Sequence, residues 1–556
     1  MTPWDVLIVG AGAAGCILAA RLSEDPRCRV LLVEAGIDTP PEAVPADISD
    51  AYPVSYANPA YFWPGLTATA RPGSAAAPFG QACVMGGGSS VMGMWALRGM
   101  PGDYDAWRNA GAAGWGWSDV LPAFRRLERD LDVAGPLHGD SGPISIQRNP
   151  VERWPAFVRA LATAAEGRGL PLRSDLNGDF ADGVFAVPAT SDAFGRASAA
   201  RGYLTTEVRK RNNLSIETDA LVTRLVFANR RVNGVELRRA NLVNTIPARE
   251  VVLSAGAIHS PALLMRSGIG PAGDLAALGI APVADLPGVG AHLQNHPLVM
   301  LATVIAPHAR QSPALRSYPM ACARASSFHP GAPPGDLHLQ FVARTSANSH
   351  GTRFGVIGAA LYSPVSRGRV SLVHASPNVP PRVDFNLLSE GSDRAQLGAA
   401  VRLVLKIADD PAVATLRGPL FVPRESSLIR RLSRPGLGVQ LASMAVAALL
   451  DSPLRGMAVR RAGTLVFPRR DDRLIDQLLD RVSPMFHPTG SCRMGRADDP
   501  SAVVDPLCRV RGVAGLRIVD ASIMPVIPRA NTCLPAMMIA EHAAATTFGD
   551  RANVLP

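Results

Sequence analysis

Apolar residues in this chain collect into short β-branched runs punctuated by glycine, and the first run sets the theme. Val6-Leu7-Ile8-Val9 is continuously apolar, the mark of a parallel strand buried on both faces. Gly10, Gly12 and Gly15 follow in the spacing G-x-G-x-x-G, with Ala13 and Ala14 between them, and Cys16 to Leu22 carries an apolar helical pattern. Val30 to Val33 reads as a second strand, ending at Glu34-Ala35-Gly36. Gly10 permits a tight turn, Gly12 lets the backbone approach a pyrophosphate, and Gly15 lets helix and strand pack closely. The phosphates then meet the unpaired amides and favourable dipole of a helix N-terminus. Glu34, about 20 residues further on, is a carboxylate at a strand end, placed to hold ribose hydroxyls. Strand, glycine turn, helix, strand and acid together predict a dinucleotide site, without deciding between NAD and FAD. The competing reading, a glycine-rich turn without a ligand, leaves the placed acid unexplained.

Beyond Gly36 the pattern breaks into loops at Pro40, Pro41, Pro45 and Pro53, with an aromatic patch at Tyr61-Phe62-Trp63-Pro64. Gly86-Gly87-Gly88-Ser89-Ser90 is small enough to bring backbone amides against a large flat ligand, or is a plain flexible loop. Asp103 to Glu128 reads as an aromatic-rich loop, closed by Ser118 as N-cap of a helix starting at Asp119. Such a loop covers an active site or seals a domain seam. Leu214-Ser215-Ile216, Leu221 to Phe227 and Val232 to Leu237 read as strands, with Asn233-Gly234 as a hairpin turn, and Glu250 to Leu253 is a further strand before Gly256. From about 300 to 480, short strands, prolines and helices alternate without nucleotide-binding signals, as expected of a substrate-side domain.

At 556 residues the chain exceeds one ordinary core and is expected to form two domains. Hydrophobic content of 47% against 18% charged excludes a disordered or fibrous protein. The net charge of +10 comes from arginine, Lys210 and Lys406 being the only lysines, and no dense basic tract marks a nucleic-acid partner. Cys16, Cys28, Cys83, Cys322, Cys492, Cys508 and Cys533 are odd in number and form no CxxC pair, so neither a disulfide framework nor a zinc site is expected. No metal is expected, since His259, His292, His296 and His338 make no ligand pattern and read as structural. With no secretory leader pattern, and with Leu437 to Leu450 too short to span a bilayer, the expectation is a soluble cytoplasmic protein.

Gly256-Ala257-Ile258-His259-Ser260-Pro261-Ala262-Leu263-Leu264-Met265-Arg266-Ser267-Gly268-Ile269-Gly270 resembles the second signature of the glucose-methanol-choline (GMC) oxidoreductases, and Gly86 to Arg98 resembles their first. Leu286-Pro287-Gly288-Val289-Gly290 with Leu293-Gln294-Asn295-His296-Pro297 looks like their LPGVGxNLQDHP segment. Leu516 to Pro525 looks like their C-terminal flavin segment. The blocks span nearly the whole chain in the family's order. Ala35 to Pro40, Phe62-Trp63-Pro64, Ser198 to Leu204, Gly495 to Asp499 and Ala530-Asn531-Thr532 further resemble the bacterial 5-hydroxymethylfurfural oxidases and related aryl-alcohol oxidising members.

The resemblance implies an α/β fold (α+β overall), with a Rossmann-like FAD-binding domain and a substrate domain carrying a six-stranded antiparallel sheet. Residues 1–37, 78–150, 197–300 and 484–556 fall to the first and 38–77, 151–196 and 301–483 to the second. It places FAD against Gly10, Gly12, Ala13, Ala14, Gly15, Glu34, Ala35, Gly86, Gly87, Ser89, Ser90, Val91, Met92, Gly93, Val222, Ala255, Gly256, Asp520, Ala521, Asn531 and Thr532, and the substrate against Trp95, Phe486 and Cys533. Phe486-His487-Pro488 resembles the catalytic histidine segment. His487 is therefore the expected general base, since an imidazole with a pKa near ~6.5 suits proton transfer around neutrality. Asn531 matches the second catalytic position, where its amide would orient the substrate oxygen; a backbone-capping amide is the competing role.

Three positions depart from the pattern. Val91 stands where some relatives attach FAD through histidine, so the cofactor is expected to be non-covalent; Met92 replaces a usual Asn, and Cys533 a second Asn. The stretch from Arg424 to Arg470 looks expanded, combining the Leu437 to Leu450 run with Arg430, Arg431, Arg434, Arg455, Arg460 and Arg461. It reads as a helix packed on its own domain, with an amphipathic partner or membrane surface as the alternative. The activity implied is oxidation of primary, aromatic or heteroaromatic alcohols, with aldehyde hydrates as further substrates and O2 as acceptor. A dehydrogenase using a quinone or other acceptor, and an FAD-containing hydroxynitrile lyase, are the competing functions. Oligomeric state is left open.

Overall fold

The computed structural model describes residues 2–424, 431–466 and 471–548. The first apolar run lies in the strand Trp4–Val9, whose last four residues are buried. It sits inside a sheet, with Val6 paired in parallel to Val30 on one side and to Glu250 on the other. Leu214–Glu217 extends the sheet beyond Val30–Val33. The twelve-residue strand Leu242–Leu253 serves two sets of neighbours. Its end pairs in parallel with Leu516–Ile518, while its beginning pairs antiparallel with Arg231–Arg239, which in turn pairs with Leu221–Ala228. Seven strands from the start, middle and end of the described chain thus build one sheet. The apolar helix Ala13–Leu22 packs against the buried helix Cys533–Thr546. There Arg21 donates from Nε (3.0 Å) and Nη2 (2.8 Å) to the buried carboxylate of Glu541.

Two local expectations are corrected. Pro101–Asn109 is helical rather than loop, and the next helix runs Trp117–Leu127 with Gly116, not Ser118, at its N-cap. The carboxylate of Asp119, three residues into the helix, reaches back and accepts the amide of the N-cap Gly116 at 2.9 Å, the acid's half of a capping box. The hairpin reverses at Asn229 and Arg230, both with positive φ, as the twist of paired strands demands. Asn233-Gly234 lies inside the strand, where the register slips between Val226 and Phe227, and forms a bulge.

The second sheet holds nine strands among the described residues rather than the six expected. Gly183–Ala186, Ala321–Ala325, Leu337–Val342, Phe354–Leu361 and Pro297–Val304 form an antiparallel core. The additions are two- and three-residue pieces at 172–173, 421–423, 463–465 and 483–484. In the basic segment, Leu437–Asp451 and Arg455–Ala462 are helices, while Arg430 and Arg470 lie outside the described residues. Among the described residues no single helix is long and apolar enough to cross a membrane.

Candidate active site

A cavity opens where the first sheet's parallel strands end. Gly10 (φ 97°) turns the chain there, and a Cβ on it would lie 2.7 Å from the Ser254 carbonyl oxygen. A Cβ on Gly15 would meet the Gly10 carbonyl oxygen at 1.9 Å, so helix and strand approach as closely as the spacing predicts. Gly12 caps the helix without a side-chain partner, leaving first-turn amides to face the cavity that Ala13 and Ala14 line. Glu34 is buried there and accepts the amides of Ala11 (2.8 Å) and Gly36 (2.9 Å). Burial raises its pKa against the effect of those amides. Asp520 accepts from the Gly256 amide (2.9 Å) and the Ser260 hydroxyl (2.6 Å), and burial raises its pKa as well. The loop after Met85 docks on the glycine turn, since the Gly86 amide donates to the Ala11 carbonyl at 2.7 Å.

A second cluster lies on one face of the antiparallel sheet. Period-2 alternation and the register Leu298↔Ala360 and His338↔Ala360 put His296, His338 and Tyr362 on the same side. Their rings stack in series, His296 on Tyr362 at 4.2 Å and Tyr362 on His338 at 4.4 Å, and Trp95 meets His338 edge-on at 5.4 Å. His487 reaches this wall from the C-terminal segment, its Nδ1 2.9 Å from Nδ1 of His296. The Asn531 Nδ2 lies 3.1 Å from His487 Nε2, and the Tyr362 hydroxyl donates to Asn531 Oδ1 at 2.9 Å. With the Asn531 oxygen turned to Tyr362, its amide N–H faces His487 Nε2, which must then be the proton-free nitrogen. His487 Nδ1 accordingly carries the proton and donates it to His296. Burial pushes His487 down to about 3, rather than the ordinary value expected from its residue type. His338 is pushed to about 3 by the same cause.

The GMC oxidoreductase model matches residues 4–298 and again residues 364–540. The chain is a GMC oxidoreductase. It is 40% identical to the 5-(hydroxymethyl)furfural oxidase of Methylovorus sp. (strain MP688), over 98% of both chains. It is 33% identical to an oxygen-dependent choline dehydrogenase of Rhizobium etli, over 98% of this chain and 95% of that one. Among solved structures, pyridoxine 4-oxidase from Mesorbium loti superposes with a TM-score of 0.80 at 28% identity, covering 98% of this chain and 99% of that one.

GMC oxidoreductases bind FAD, and the cavity fits it. A Cβ added at Gly12 or Gly256 would meet nothing closer than 3.8 Å, so both glycines keep space open there. Unpaired amides suit a pyrophosphate, and Arg238 and Arg266 add positive charge to the lining. Of the residues the resemblance placed against FAD, Gly10, Gly12, Ala13, Ala14, Glu34, Ala35, Gly87, Val222, Ala255, Gly256, Asp520 and Ala521 line the cavity. Gly15 is behind it, in the helix packing. Ser89 and Ser90 donate their hydroxyls to the carbonyls of Gly86 and Met85, which shapes the loop. Gly86, Met92 and Gly93 belong to the same loop, whose Ser89 and Met92 carbonyls accept from Arg196 Nη1. Val91 is fully buried, clustered with Ile48, Tyr61 and Val84. Asn531 and Thr532 directly precede the helix Cys533–Thr546, whose Ala536 lines the cavity. Phe486 stacks on Phe79 at 5.5 Å, and Cys533 lies close to the Arg196 charge.

The residue-by-residue reading of this GMC oxidoreductase missed three features. His296 and His338, read as structural, belong to the ring wall around His487; only strand register reveals that. Tyr362 has no motif at all. Trp63 and His259 stack at 4.2 Å on the cavity lining, and burial lowers His259 to about 3. A separate buried group brings Glu128, Asp130 and His138 within ligating distance of one another. Arg98 and Arg148 already pair with those carboxylates. Burial opposes a charge on His138, but hydrogen bonds to Asp130, Asp175 and Glu128 prevail and push it up to about 10. The cluster thus supplies its own cations.

Proposed function

We propose that the enzyme oxidises primary aromatic or heteroaromatic alcohols to aldehydes, and aldehyde hydrates onward to acids, with O2 as acceptor giving H2O2. His487 and Asn531 are the catalytic pair, and FAD is held non-covalently by the residues placed against it above. The substrate enters beside Trp95, Phe486 and Cys533. The reading rests on one observation: His487 Nε2 lies 3.1 Å from the Asn531 amide beside a wall of stacked rings.

The chemistry follows from that arrangement. An alcohol gives up hydride from its carbinol carbon only as its hydroxyl proton leaves. Nε2 of His487 receives that proton, while Nδ1–H donates to His296 and keeps the ring in the accepting tautomer. Asn531 donates to the substrate oxygen and orients the carbinol C–H, with its own amide held by Tyr362. FAD, when bound, accepts the hydride and passes the electrons on. The likeness to the furfural oxidase supports the substrate class. The division into cofactor and substrate domains at the boundaries expected above accompanies this reading. Cysteines that form no disulfide fit a reducing compartment such as the cytoplasm.

A quinone-linked dehydrogenase is the second reading, favoured by the exposed apolar helix Leu437–Asp451. Anaerobic mixing with benzylic and furanic alcohols, then admission of air, separates the two. Flavin bleaching followed by rapid recolouring with peroxide is the expected result. Slow recolouring would point to another acceptor, and no bleaching with any alcohol would leave the lyase chemistry.

A further inference from the structure

The helix Leu437–Asp451 carries no charged residue before Asp451. A helix that is apolar all round belongs in a core, and here only one stripe, Ser443, Ala447 and Leu450, is buried. That stripe is firmly seated. Ser443 Oγ accepts the His350 amide at 3.0 Å, and Asp451 pairs with Arg310 (2.6 Å) and Arg353 (3.0 Å). The remaining surface faces outward: Leu437 is 83% exposed, Leu441 67% and Met444 56%. The chain then bends by 116° into Arg455–Ala462, where Leu454 and Met457 are also more than half exposed. Packing on its own domain and an outward-facing apolar surface are the two expectations for this segment. The helix does both, on different faces.

The charge around this apolar face has one sign. Residues 431–466 contain Arg431, Arg434, Arg455, Arg460 and Arg461, and their single carboxylate, Asp451, is already held by Arg310 and Arg353. Arg431, Arg455, Arg460 and Arg461 are exposed. Apolar side chains on two short bent helices, accompanied by four exposed arginines, complement a surface that is apolar below and anionic above. Exposed leucine and methionine with arginines alongside match the layering of an anionic lipid interface, apolar chains beneath charged headgroups. We infer that the helix pair Leu437–Asp451 and Arg455–Ala462 docks the enzyme onto anionic lipid, lying in the headgroup region without spanning the bilayer. This holds whatever alcohol the active site takes.

Co-sedimentation of the full-length holoenzyme with vesicles tests it. Binding to phosphatidylglycerol vesicles, weaker on phosphatidylcholine and weakened by salt, is expected. Leu441→Ser with Met444→Ser should lower the bound fraction by about tenfold or more. Arg455→Gln with Arg460→Gln and Arg461→Gln should abolish the lipid preference. Both variants alter exposed side chains, so alcohol turnover without vesicles should be unchanged and reports correct folding. No sedimentation with phosphatidylglycerol, or sedimentation indifferent to the serine substitutions, overturns the proposal. So does a dimer in sedimentation velocity that the serine variant dissociates, if the wild type ignores vesicles; the face would then belong to a second copy of the chain.

Discussion

Tyr362→Phe isolates one hydrogen bond in the site. The substitution keeps the ring, and with it the stacks on His296 at 4.2 Å and His338 at 4.4 Å. It deletes the hydroxyl that donates to Asn531 Oδ1 at 2.9 Å, in a pocket where Tyr362 is buried. A neutral hydrogen bond contributes about 0.5–1.5 kcal/mol net, and an orphaned buried carbonyl costs about 1–3 kcal/mol. The larger range applies because nothing replaces the donor. The Asn531 amide then no longer has a fixed orientation. When it turns over, its oxygen faces His487 Nε2 and draws the proton onto the nitrogen that must stay bare. At 1.4 kcal/mol per factor of ten, flavin reduction should slow by roughly 10- to 100-fold. Anaerobic stopped-flow absorbance measures this step directly, and FAD content reports whether the fold survived. Reduction within twofold of wild type, with FAD retained, would refute the role given to the Tyr362–Asn531 bond and return Asn531 to a capping role.

His487→Ala should retain FAD yet slow reduction by about 10²–10⁴-fold, the usual contribution of a placed acid–base group; an unchanged rate in stopped flow would remove it as the base. Acid precipitation should release the yellow cofactor into the supernatant, because Val91 offers no attachment and is fully buried; colour in the pellet would contradict that. Stability should fall in mild acid. His259, His338 and His487 (each pushed to about 3) and His350 (to about 4) stay neutral when folded and titrate near ~6.5 when unfolded. Protonation therefore favours the unfolded chain as pH drops below that value, by about 1.4 kcal/mol per histidine at pH 5.5, or roughly 5–6 kcal/mol together. His138 offsets about one of these four, since its raised pKa adds stability that is still growing between pH 7.5 and ~6.5 and is complete only below that. Thermal unfolding midpoints at pH 7.5 and 5.5 should differ by several degrees, and equal midpoints would mean those histidines are not buried neutral.

The cofactor cavity was legible in the sequence because its requirements are local. A turn that admits no Cβ at Gly10, a close approach at Gly15 and an acid after the next strand are each a residue type at a set separation. In the structure Gly10 and Gly15 leave no room for a Cβ, and Glu34 accepts the Ala11 amide at the cavity. Where the reading failed, the deciding partner was distant. Asp119 beats Ser118 to the helix cap by reaching back to Gly116, and Asn233-Gly234 bulges instead of turning because Asn229-Arg230 turns first. Both errors take a residue's habit for its role.

The same distinction governs the proposed catalytic pair, His487 and Asn531. Residue type says that a histidine titrates near neutrality, and a motif says that His487 is the base. Neither says which nitrogen is bare or at what pH it is protonated. Those properties come from residues far away in the chain: His296 on Nδ1 at 2.9 Å, Asn531 on Nε2 at 3.1 Å, and Tyr362 behind Asn531. Strand register brings His296 and Tyr362 side by side, so two unremarked positions fix the tautomer of a third. Burial then lowers His487 to about 3 and keeps it neutral across the physiological range. The proposed base is thus unprotonated before substrate binds, and burial, which disfavours the imidazolium, favours a proton transfer that accompanies hydride departure. A solvent-deuterium effect and a substrate-deuterium effect should consequently appear together on one step.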